Sequence, residues 1–332
     1  MANCNIHFKS YNEEIRLTDS RRKKLKISRK ELRNKVRAWF KENKPNEPKP
    51  KFYGQGSMAM DTIINPIPRK IIENKEERTV LYYDIDDGIY FEGDKVAGDR
   101  FSPAVYHGWV YDAVKGHTDK DPIDKNTCVR TVFADGRNID QPIYYNQGSV
   151  PELAHKKSGW IDSDPRAFTE WFNEKADANP QLRRLARYGK GWIDKREFAN
   201  ESKTMPTGMI ITILITENIV YRSERDDIAL KETLINIHAT LRNNFACYRP
   251  TTPEGENLLK DYANKDYFMD CLELFIEDAK KALQEKNIRK ATELWRKHLS
   301  NRFPLGEDKD ETTNSSAGLG VIIPATTKPY AE

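Results

Sequence analysis

At 332 residues the chain is long enough for one large domain or two joined ones, at ~100–200 residues each, and so for a cleft between two lobes. Lysine and arginine total 55 against 51 aspartates and glutamates, a balance too close to neutral to create a field suited to a nucleic-acid polymer. Cys4, Cys128, Cys247 and Cys271 form no CxxC and no Cys/His cluster, which argues against a disulfide framework or a zinc site and for buried, inert thiols.

Met1 to Phe8 turns charged without an apolar signal core. The longest apolar stretch, Met209 to Ile215, is far below the ~20 residues of a membrane helix, so a soluble, cytoplasmic protein is expected. From Ser20 to Asn43, Leu32, Val36, Trp39 and Phe40 recur at helical spacing among many cations. This predicts a long amphipathic helix that stops before the three prolines of 44–51. Arg21 to Lys24 reads as its solvated face.

Phe52 to Gly54 is a short aromatic strand running into the glycine turn Gln55-Gly56-Ser57, followed by an apolar stretch to Ile64. Thr79 to Tyr83 and Ile89 to Phe91 are β-rich pieces around Asp84-Ile-Asp86, and a helical or mixed region extends to about Thr118. Thr127 to Phe133 and Asn138 to Tyr145 form a hairpin across Asp135-Gly136. From Asp164 helical patterns dominate: Pro165 follows an Asp cap, and Leu182–Trp192, Met209–Val220, Ile228–Phe245, Tyr267–Leu283 and Ile288–Leu299 follow. The stretch 306–332 is polar and loses periodicity, which predicts a flexible tail.

Asp84 and Asp86 are two apart, so in a strand both project from one face. Two carboxylates on one face repel each other unless hard divalent cations neutralise them, the need of a two-metal phosphoryl-transfer site. Alone, the pair reads equally as a surface turn. The preceding Gly56-Ser57 turn adds backbone N–H groups and a hydroxyl suited to a phosphate. Asp140, between Ile139 and Ile143, is the preferred third acid, because Asp135 is explained by its turn. His107, His117 and His155 have no partner at ligand spacing and read as structural. Trp109, Trp160, Trp171 and Trp192 read as core.

Gln55-Gly-Ser57 before the acidic pair resembles the superfamily of polymerase-β-like nucleotidyltransferases. With Thr127-Cys-Val-Arg130, Ile139-Asp-Gln-Pro-Ile-Tyr144, Trp160-Ile-Asp-Ser-Asp-Pro165 and Leu182 to Trp192, the chain is similar to the bacterial cGAS/DncV-like nucleotidyltransferases. These are cyclic-oligonucleotide synthases of anti-phage (CBASS) signalling.

The resemblance implies an α+β fold: a polymerase-β-like core of mixed sheet and helices (1–155, with the long N-terminal helix) and a helical lobe (156–305). The active-site cleft lies between them, and 306–332 is the tail. It implies Asp84, Asp86 and Asp140 as catalytic metal-binding acids for Mg²⁺, with Mn²⁺ as a substitute. Gln55, Gly56, Ser57, Arg130, Ser163, Asp164, Lys190 and Thr207 are the implied nucleotide contacts, with Asp140 the base for the attacking hydroxyl. Local alternatives stay open: Arg130 as a strand-edge cation, Lys190 as a solvated helix residue, Ser163-Asp164 as a helix cap.

The implied substrates are ribonucleoside triphosphates, ATP and GTP foremost. No membrane or nucleic-acid polymer takes part, and a separate effector reads the product. The implied tail could be joined to a target by a ubiquitin-like ligation system. Two rivals are a nucleotidyltransferase with linear products, such as a tailing enzyme or a small-molecule adenylyltransferase, and a silent nucleotide-binding protein.

Overall fold

A computed structural model describes residues 2–73, 75–148 and 150–311. The proposed tail attachment and most of the tail lie outside these residues.

The chain opens with helix α1 (Asn5–Ile15), which the sequence reading did not anticipate. Then comes the expected long helix α2 (Asp19–Asn43), capped by Thr18, whose side chain accepts from the Arg21 N–H, and ended at Pro45. Leu25, Leu32, Val36 and Phe40 form its buried stripe. Strand β1 (Pro50–Gln55) enters the one-turn helix α3 (Gly56–Ala59). A separate hairpin of β2 (Arg69–Glu73) and β3 (Glu76–Val80) follows. The acidic segment is one continuous ten-residue strand, β4 (Tyr83–Glu92), rather than a break between two β pieces, and Gly88 sits inside it opposite Tyr53.

Helix α4 (Pro103–Val114), strands β5 (Ile123–Asp124), β6 (Cys128–Val132) and β7 (Arg137–Asn146), and the hairpin β8 (Glu152–His155) and β9 (Gly159–Asp162) complete the first lobe. The sheet order is β1-β4-β7-β6-β5. Strands β4 and β7 are parallel and the other pairs antiparallel, and β8 pairs the end of β7 beyond its partner β6. In β4 the residues Tyr83, Ile85, Ile89 and Phe91 face the core shared with α2 and α4, whereas Asp84 and Asp86 face the other way. Asp87 falls on the core face and is fully buried, where Arg33 of α2 forks onto its carboxylate.

The helical lobe comprises α5 (Pro165–Ala178), α6 (Gln181–Ala199), α7 (Gly208–Asn218), α8 (Asp226–Asn243), α9 (Lys265–Gln284) and α10 (Ile288–Leu299). Its core includes the start of the chain: Phe8 packs edge-on to Tyr188, Trp295 and Phe303, and the Tyr188 hydroxyl donates to the Phe8 carbonyl at 2.9 Å. Residues 2–15 therefore pack with the second lobe, although the sequence reading grouped them with 1–155. Burying several aromatic side chains there, at ~2–3 kcal/mol each, outweighs nearness along the chain.

The expected tail also starts differently. Gly306 N–H donates to the Thr292 hydroxyl, and the Ile288 N–H to the Lys309 carbonyl, so 306–311 is tied to α10 and its approach. Among the described residues no helix is long and apolar enough to cross a membrane. All four cysteines are free and buried.

Candidate active site

Strand register assembles the site. Gln55 on β1 pairs with Asp86 on β4, Asp86 with Asp140 on β7, and Asp140 with Arg130 on β6, so four side chains from four strands stand in a row on one face. One step along, Asp84 pairs with Asn138, whose amide donates to Asp84 Oδ1 at 2.8 Å. Asp135, the competing acid, lies in the β6–β7 turn and pairs with Arg137 at 3.0 Å, away from this row.

Arg130 binds the acids themselves. Its Nε donates to Asp140 Oδ1 at 2.6 Å, and its Nη2 donates to Asp140 Oδ2 at 2.8 Å and also to Asp84 Oδ2. Lys125 Nζ reaches Asp140 Oδ2 at 3.3 Å. Asp86, half-buried beside them, receives no such partner, and its carboxyl is pushed up to about 7, first by burial and then by the charges of Asp140 and Asp84, against Arg130 and Lys125.

Backbone fit around Asp86 is tight. A Cβ on Gly56 would sit 2.4 Å from Asp86 Oδ2, and Gly56 also holds φ +65°, so glycine is required there twice over. Behind the row, Gln55 is fixed by Tyr144, which accepts from its amide at 3.1 Å, and by Tyr90, whose hydroxyl donates to its carbonyl at 3.2 Å; the two tyrosine rings stack at 4.6 Å.

The row opens on a cleft of about 850 Å³ between the lobes, lined among others by Gln55, Gly56, Ser57, Asp84, Asp86, Asp140, Ser163, Lys190 and Thr207. A volume of that order suits a ligand larger than a single small metabolite. Lys190 of α6 hangs from the helical lobe and donates to the Thr62 hydroxyl at 2.8 Å. Loss of hydration, with Arg187 nearby, pushes its amine down to about 7, against the pull of Asp86. A lysine thus opposes the acids across the gap.

Two of the expected contacts are engaged elsewhere. Asp164 caps α5, accepting from the Arg166 and Ala167 N–H groups at 3.0 and 3.1 Å, and does not line the cleft, although its neighbours Ser163 and Pro165 do. Arg130 stays on the acids instead of facing the cleft. Thr207 lines the cleft while its hydroxyl caps α7.

Two of the histidines are held by structural contacts: His107 is buried 2.8 Å from Asp124 and 2.9 Å from the Ala154 carbonyl, and His155 accepts turn N–H groups. Lys125, Asn138 and Arg249, the last on the cleft wall, were missed. Asn138 lies two residues before Asp140 in the same predicted strand, so alternation was the signal that could have found it, whereas Lys125 and Arg249 stand outside any quoted motif and are brought in only by the tertiary fold.

The donor set, three carboxylates with one unpartnered, has the hard-oxygen chemistry that Mg²⁺ or Mn²⁺ prefers. With the side chains as they stand, no three acids among the described residues converge to grip an ion, and the Arg130 guanidinium bridges Asp84 and Asp140 instead.

Residues 50–144 match the family model described as the nucleotidyltransferase domain of DncV-like cyclic GMP-AMP synthases. Among curated proteins, the cyclic GMP-AMP synthase of Escherichia albertii is 27% identical over 185 residues, 53% of this chain and 39% of that protein. The cyclic AMP-AMP-AMP synthase of an Acinetobacter strain is 25% identical over 188 residues, 50% of this chain and 53% of that protein. The chain's matched part thus spans about half or less of these relatives' lengths.

The structure of Vibrio cholerae DncV cyclic AMP-GMP synthase in complex with nonhydrolyzable GTP gives a TM-score of 0.75 at 17% identity, over 91% of this chain and 97% of that one. The same enzyme in complex with a linear intermediate, 5′ pppA(3′,5′)pG, gives 0.74 at 18% identity, again over 91% and 97%. At this identity the likeness establishes the fold, a mixed sheet joined to a helical lobe, as the sequence reading expected.

Proposed function

We infer, for this member of the cGAS/DncV-like nucleotidyltransferase family, that it joins ribonucleoside triphosphates into a cyclic di- or oligonucleotide, releasing pyrophosphate. The observation that carries this reading is the register row Gln55–Asp86–Asp140 lining one cleft with Lys190. It is a layout of acids on one lobe and a cation on the other, suited to a triphosphate between them. The curated relatives named as cyclic GMP-AMP and cyclic AMP-AMP-AMP synthases support the cyclic outcome over a linear one.

In this reading Asp84, Asp86 and Asp140 would hold Mg²⁺ or Mn²⁺, which would neutralise triphosphate charge and acidify the attacking hydroxyl. The chain's own groups do the rest. The Gly56-Ser57 turn and Lys190 orient the donor triphosphate from opposite lobes, and the aromatic shelf behind Gln55 keeps the turn rigid. Asp140 takes the hydroxyl proton only when its carboxylate is released from Arg130, since both of its oxygens now accept from cations. Positioning and charge compensation supply most of the rate in phosphoryl transfer, and this site is built for both. A role of the product in anti-phage signalling through a separate effector in the cytoplasm, with ATP and GTP as substrates, belongs to the same proposal.

Incubation with the four ribonucleoside triphosphates, Mg²⁺ or Mn²⁺, and a phosphatase tests it. A phosphatase-resistant product is expected. A linear product alone would make the chain a tailing-type enzyme, and no product would leave a nucleotide binder.

A further inference from the structure

Two of the three acids of the site are already paired from within the fold. Asp84 Oδ1 accepts from Asn138 and its Oδ2 from Arg130. Asp140 Oδ1 accepts from Arg130, and its Oδ2 from both Arg130 and Lys125. All four oxygens of these two carboxylates are therefore taken by side-chain donors, and a single guanidinium joins the two residues. Asp86, directly opposite Asp140 and two residues along β4 from Asp84, has no side-chain donor among the described residues. A divalent ion shared by Asp84 and Asp140 needs the oxygens that Arg130 now occupies.

We propose that Arg130 is a displaceable internal cation, standing in for the divalent ion between Asp84 and Asp140 in the nucleotide-free protein, so that the ion loads only as the guanidinium turns away. The inference rests on the reading of the site as a metal-dependent triphosphate site. An arriving triphosphate offers the guanidinium an equivalent forked anion, so the bonds lost on the acids are regained on phosphate oxygens. Nucleotide and ion then favour each other's binding by the same factor, through the position of one side chain. The device keeps the acids from taking up an ion in the empty site, and it holds them in place until substrate arrives.

Mn²⁺ binding to the full nucleotide-free chain, read by the electron paramagnetic resonance signal of free Mn²⁺, tests the inference without any turnover. Arg130→Gln removes the bridge and is expected to bind Mn²⁺ at least about tenfold more tightly than the wild type, the effect of freeing charge-assisted bonds. Lys125→Gln removes the same charge but only one 3.3 Å contact, and it is expected to change affinity by no more than about twofold.

Equal gains in the two variants would mean that charge alone matters and would overturn the displacement, as would an Arg130→Gln protein that binds no tighter than wild type. Should that variant not fold by circular dichroism, Arg130→Lys decides. It keeps the charge but cannot span both carboxylates, so a several-fold gain is expected and an unchanged affinity overturns the proposal. If none of the proteins binds Mn²⁺, the metal reading itself fails, and this inference falls with it.

Discussion

Two carboxylates of this protein, Asp226 in the helical lobe and Asp86 in the sheet lobe, are treated in opposite ways. At the start of α8, Asp226 accepts from Arg184 at 2.6 and 2.8 Å, from Gln181 at 2.7 Å and from the Tyr188 hydroxyl at 2.9 Å, and these donors, against burial, hold its carboxyl below the usual range. Asp227 beside it accepts from Arg225 and from the Cys4 N–H, tying α1 to the helical lobe. In the sheet lobe Asp86 is left without a donor and is pushed up to about 7, chiefly by burial. Asp226 has its charge satisfied by donors that belong to the helical lobe alone. Asp86, unsatisfied within a cleft, stores a demand for a cation that a ligand can meet.

Breaking the satisfied group gives the largest expected effect. Asp226→Ala leaves Arg184 unpaired and should cost about 3–5 kcal/mol of stability, measured by denaturant unfolding. An unchanged midpoint would erase the contrast between the two regions.

The unsatisfied group should behave in reverse. Asp86→Asn removes an unpaired charge, so the metal-free thermal midpoint should hold or rise, while pyrophosphate release falls by about 10²–10³-fold. A variant that is both destabilised and active would place Asp86 with the structural acids.

The smallest expected effect is on pH. Because the folded-state value of Asp86 is raised, its neutral form is the one the empty fold prefers. That contribution to stability is complete below the unfolded value near ~4 and is lost as pH rises through about 7. Lys190 is shifted the other way: its contribution is complete above the unfolded value near ~10.4 and is lost as pH falls toward about 7. The empty site is thus costly near neutrality, and below about 7 a proton on Asp86 competes with a cation. Mn²⁺ should raise the thermal midpoint clearly at pH 8 and much less at pH 6. Equal shifts at both values would remove Asp86 from the ion's ligands.

Much of this molecule is legible in its amino-acid order. The α2 stripe, the β6–β7 hairpin at Asp135-Gly136 and the helices from Pro165 onward are local: they depend on periodicity, turn chemistry and spacing within a few residues, whereas the Gly56-Ser57 turn and the Asp84/Asp86 pair are each legible as motifs but meet only through β1–β4 pairing. Helix α1 was missed because much of its surface is polar, and its few apolar side chains find partners far along the chain, on α6, on α10 and at Phe303. Strands β8 and β9 were missed because each has only four residues, too few to show alternation.

The amino-acid sequence by itself determined that Asp84 and Asp86 share one face, since side chains alternate along any strand, and that a phosphate-sized glycine turn precedes them. Only the tertiary structure decided which residues stand beside them. Parallel pairing of β4 with β7 set Asp140 opposite Asp86 rather than one residue off, and antiparallel pairing of β6 with β7 delivered Arg130 onto two of the three acids. The physical reason is that register is fixed by burying Ile85, Ile89, Ile139 and Ile143 on the opposite face, and a slip of one residue would have turned every acid into the core.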